Sequence, residues 1–149
     1  MTDKVSQITR KSGTYTQAQE TCRLTYDERF LRRKVLETVA GVPFLVDLAQ
    51  TTSLNSGDAF ELTDGTLIAV EAAKEPLLAI AGQNLTRLAW HIGNRHTPCQ
   101  IEPERLVIQR DHVIRDMLEK LGAHVKDVTE PFTPEGGAYG HGRTHSHAH

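Results

Sequence analysis

The sequence predicts an α+β fold: a β-rich first domain over residues 1–75, a second domain of strands and helices over residues 76–130, and a flexible His-rich tail over residues 131–149. Three observations lead to this expectation. Up to Glu71 the apolar residues come in short alternating runs, separated by turn-forming Asp, Asn and Gly. Beyond Lys74-Glu75-Pro76 two stretches switch to helical spacing, each opening at a capping residue and closing near a glycine. From Pro131 onward Pro, Gly, Thr and His dominate, a composition that buries little apolar surface.

Met1 to about Tyr15 is polar and without period, which reads as a ragged start leading into a first strand. Cys22-Arg23-Leu24-Thr25-Tyr26, the turn-like Asp27-Glu28-Arg29 and the run Phe30 to Leu36 read as a hairpin. Val42-Pro43-Phe44-Leu45-Val46-Asp47-Leu48 carries a proline, which suits an edge strand. Asn55-Ser56-Gly57-Asp58 is a loop, and Phe60-Glu61-Leu62 with Leu67-Ile68-Ala69-Val70-Glu71 flank Asp64-Gly65 as a second hairpin.

In the second domain Leu77-Leu78-Ala79-Ile80-Ala81 reads as a buried strand ended by Gly82. Asn84 is placed to cap a helix in which Leu85, Leu88, Ala89 and Ile92 recur at helical spacing, with Gly93-Asn94 as its stop. Cys99-Gln100-Ile101 and Leu106-Val107-Ile108 pair most simply as a hairpin across Glu102-Pro103-Glu104. Asp111 caps a second helix whose apolar stripe is Val113, Ile114, Met117, Leu118 and Leu121, and Gly122 ends it. Ala123 to Val128 is a last strand. The order strand, helix, strand, strand, helix, strand is the split pattern of a ferredoxin-like sandwich.

Composition narrows the function classes. Lys plus Arg number 17 against 19 Asp plus Glu, a net charge of -2, so the broad basic surface that nucleic acid requires is not expected. No run approaches the roughly 18 apolar residues of a membrane span. The opening residues also lack the apolar core of a signal peptide, so a cytoplasmic protein without a membrane partner is expected. Cys22 and Cys99 stand far apart and suggest neither a disulfide framework nor a Cys-rich zinc site. No phosphate-binding glycine loop, zinc-protease motif or nucleophile elbow is present, which argues against an enzyme.

Histidine is the exception, with four of the 8 falling in the last nine residues. His145, His147 and His149 alternate, with His141 just upstream. Alternate side chains of an extended segment swing to one side, and imidazole ligates Zn, Cu, Fe and Ni while being too soft for Mg or Ca. Expression tags are normally contiguous histidines, whereas Gly, Arg, Thr, Ser and Ala are interspersed here. Such a segment binds metal labilely, which suits delivery or storage better than catalysis.

Within the folded part His96 follows the Gly-Asn stop and should sit on an exposed loop. One imidazole holds a transition metal poorly, but a two-fold axis through a dimer contact would bring two copies together. His112 lies in the first turn of the second helix, where the macrodipole favours neutral, metal-competent imidazole. His91, one position before core-facing Ile92, reads as a surface or partly buried residue. Cys99, sharing a strand face with Ile101, reads as core, and Cys22 and His124 carry no functional signal.

Three segments together resemble the UreE-type urease accessory proteins, a family of nickel metallochaperones: Gly93-Asn94-Arg95-His96-Thr97-Pro98, Asp111-His112-Val113 with Met117-Leu118 and Gly122, and the His-rich C-terminus. The resemblance extends over nearly the whole chain. It implies a cytoplasmic homodimer that carries Ni(II) to the apo-urease assembly complex, where an accessory GTPase and scaffold accessory proteins complete insertion. It also implies that His96 of both subunits meets at the dimer axis as the principal metal site, with tail histidines adding ligands. The family's His-Asp-His pattern stands here as Arg110-Asp111-His112, so only His112 carries over and an auxiliary site is in doubt. The first domain is implied to dock partners. Ligand chemistry by itself accepts Zn(II) and Cu(II) as well, so nickel rests on the resemblance. The rival expectation is a metal storage or buffering protein for Ni or Zn with the tail as its main site.

Overall fold

The computed structural model describes residues 3–136, so His141, His145, His147 and His149 lie outside the described residues. Over the described residues the chain is a β-rich α+β protein with two sheets and two helices, divided into two compact units between Ala73 and Lys74. No helix among the described residues is long and apolar enough to cross a membrane.

The first unit is a sheet of six strands: β1 (Val5–Arg10), β2 (Glu20–Leu24), β3 (Phe30–Glu37), β4 (Pro43–Ser53), β5 (Ala59–Leu62) and β6 (Leu67–Ala72), in the order β2-β6-β5-β1-β4-β3. Its core gathers Leu24, Leu31, Leu36, Phe44, Val46, Phe60, Leu62, Ile68 and Val70, all buried. The β5–β6 hairpin forms where Asp64-Gly65 allows it. Gly65 has φ 91°, and the Thr66 amide donates to Asp64 Oδ1 at 2.9 Å.

Three expectations for this unit are corrected. The polar start is no ragged lead-in, because Val5–Arg10 is β1, an interior strand between β5 and β4. Its polar residues are accommodated because Ser6 is its one fully buried residue, with its hydroxyl satisfied by the Ile8 carbonyl. β2 and β3 do not form a hairpin; they lie at opposite ends of the strand order, and β2 pairs in parallel with β6. The 3-10 turn Asp27–Arg29 between them carries the buried Arg29 inward to donate to the Leu24 carbonyl at 2.8 Å, which directs the chain away from a tight reversal. β4 is interior rather than an edge. Pro43 is its first residue, where a missing N–H does not interrupt the ladder.

The second unit runs β7 (Lys74–Ala81), α1 (Leu85–Asn94), β8 (Gln100–Ile101), β9 (Leu106–Gln109), α2 (His112–Lys120) and β10 (His124–Pro131). Its four strands lie in the order β10-β7-β9-β8, every neighbour antiparallel. Leu78 pairs with Ile108 and Ile80 with Leu106, and this apolar face packs with Leu88 and Ile92 of α1 and Ile114 and Leu118 of α2. Both helices start where expected: Asn84 accepts the Arg87 amide, and Asp111 accepts the amides of Val113 and Ile114.

Here too the structure differs in detail. Val113 is 50% exposed and Ile101 53% exposed, so neither belongs to the core stripe or face expected of it. The reason is position: Val113 lies in the first turn next to Ile114, which takes the inward direction, and Ile101 lies on the outermost strand. The expected linker does not begin at Pro131. Pro131 ends β10, Phe132 is 0% exposed, and the amides of Thr133 and Glu135 donate to Gln100 Oε1 and the Cys99 carbonyl.

Candidate metal centre

His96 is exposed and directly follows α1, and its backbone is left-handed, the sole positive φ, 57°, outside glycine among the described residues. Its amide donates to the Gly93 carbonyl at 2.9 Å and the Thr97 amide to the Ile92 carbonyl at 3.3 Å. That pair of bonds is the Schellman closure of a helix, in which the left-handed position is usually glycine. The expected stop at Gly93-Asn94 is therefore corrected, since both residues are helical and His96 itself reverses the chain.

His112 is exposed in the first turn of α2, beside the Asp111 cap. Arg110, immediately before it, donates through Nε to the Leu77 carbonyl and through Nη2 to the Val128 carbonyl, both at 3.1 Å. The cation is thus used to join β7 and β10, and this position supplies no metal ligand.

Topology brings these residues to one end of the unit. Because β9 is antiparallel to β7, the helix leaving the top of β7 ends where the helix leaving β9 begins. β10, also antiparallel to β7, finishes at that same end, with Pro131 opposite Lys74. The following segment crosses to β8, where the Thr133 amide donates to Gln100 Oε1 at 2.8 Å and the Glu135 amide to the Cys99 carbonyl at 2.9 Å. His96, His112 and the last residues of β10 therefore share an end, whereas His124 lies at the other, in a groove with Asn84, Arg87 and Gly122.

His91 is half-buried and stands edge-on to Trp90 with ring centroids 5.1 Å apart, an aromatic contact rather than a ligand arrangement. Burial pushes the Cys99 thiol up to about 11, so it is a poor thiolate donor at neutral pH. Among the described residues no group of three or more His, Cys, Asp or Glu could hold a metal ion.

Sequence comparison places the chain among known proteins. Residues 1–73 match the model of the UreE urease accessory protein N-terminal domain and residues 69–149 that of its C-terminal domain. A protein of Ruegeria pomeroyi named urease accessory protein UreE is 66% identical over 140 residues, 94% of this chain and 94% of that one. Like-named proteins of Cereibacter sphaeroides and Rhodobacter capsulatus are 64% and 55% identical, over 93% of this chain and 76% and 88% of theirs.

Proposed function

We propose, from the premise that this chain belongs to the UreE urease accessory protein family, that it is a nickel metallochaperone acting in urease maturation. It binds Ni(II) and hands it to the apo-urease assembly complex and its accessory GTPase, with no chemical turnover. The observation that carries this reading is the convergence of His96, His112 and the end of β10 at one end of the second unit. The strand order β10-β7-β9-β8 supports a ferredoxin-like second unit as the scaffold for that convergence.

In this reading His96 is the fixed ligand and a second copy of the chain, related by a two-fold axis, brings the second His96. His141, His145, His147 and His149 supply exchangeable ligands. His141 is six residues beyond Glu135, so the chain between them spans at most about 20 Å. Mixed imidazole and water ligands suit octahedral nickel and leave it transferable, while Zn(II) and Cu(II) compete for the same donors. His112 is an auxiliary ligand, and Arg110 withholds the second histidine that would make an independent site.

The test is nickel titration calorimetry on the full chain, on His96→Ala, and on a chain truncated after Gly140. Loss of one tight site per dimer in His96→Ala, with truncation lowering only the number of weaker sites, supports the reading. Loss of all tight binding on truncation with no effect of His96→Ala would instead make the tail a metal store. Binding should also weaken as the solution is acidified, since imidazole must be neutral to ligate.

A further inference from the structure

We draw no further inference here: the strongest candidate, the groove between the start of α1 and the end of α2 that is lined by Asn84, Arg87, Gly122 and His124, is a helix N-terminus flanked by exposed side chains, and nothing in the structure shows what covers it.

Discussion

His96 and Gly122 occupy the same position at the ends of the two helices. Each has a left-handed backbone, φ 57° and 91°, and each closes its helix with the same two bonds: His96 to Gly93 and Thr97 to Ile92, Gly122 to Glu119 and Ala123 to Leu118. Glycine adopts this conformation freely, whereas a residue with a Cβ meets a cost of about 1 kcal/mol. The second helix has the stable solution and the first has a histidine.

His96→Gly should therefore leave the fold as stable or up to about 1 kcal/mol more stable, while abolishing tight nickel binding. His96→Ala should lose the metal without the gain, and Gly122→Ala should destabilise by about 1 kcal/mol. Urea denaturation of the three variants checks this. A His96→Gly protein less stable than His96→Ala would mean that the left-handed conformation carries no cost here.

Arg105 holds the carboxyls of Glu102 and Glu130 below their ordinary value of 4.5. Since the folded values lie below the unfolded ones, the network contributes stability above the ordinary carboxylate range and loses it as pH falls through the lowered values. Arg105→Ala should lower the thermal midpoint at pH 7, and the difference from wild type should shrink as pH falls below about 4. A difference that stays constant down to pH 3 would sink this account.

Asp111 accepts two amides at the start of α2, at 2.9 and 3.0 Å. Asp111→Ala should cost about 1 kcal/mol, and Asp111→Asn much less, because an amide oxygen caps nearly as well. Chemical denaturation of the pair measures it.

Burial pushes both thiols up to about 11, so both are protonated at neutral pH. Disulfide reagents should modify the folded protein slowly, Cys22, at 1% exposure, more slowly than half-buried Cys99. Both should react at the rate of a free thiol once denaturant is added. Rapid modification of native Cys22 would contradict its burial.

Local signals were legible wherever one residue type solves one backbone problem. Asn84 and Asp111 announce their helices because a short polar side chain answers orphan amides, and Asp64-Gly65 announces its hairpin. The pairing of strands was less legible. The alternation in Cys22–Tyr26 and Phe30–Leu36 predicts two strands correctly but says nothing about partners, and β2 finds β6 rather than its neighbour in sequence. Likewise Pro43 limits where a strand begins, not whether that strand lies inside the sheet. At the candidate site the Gly93-Asn94 pair hid the truth, because the residue that turns the chain is the histidine two positions on.

The amino-acid sequence by itself determined the class, the helix starts, the family and the histidines worth testing, because these depend on residue identity and short spacing. Only the tertiary structure decided that His96 stands at a left-handed helix tip, that Arg110 is committed to two carbonyls, and that Thr133 and Glu135 return to Gln100 and Cys99. The reason is physical. Each of these depends on which strand lies beside which, and strand order is settled by the burial of two whole cores, a sum over distant residues that no local pattern contains.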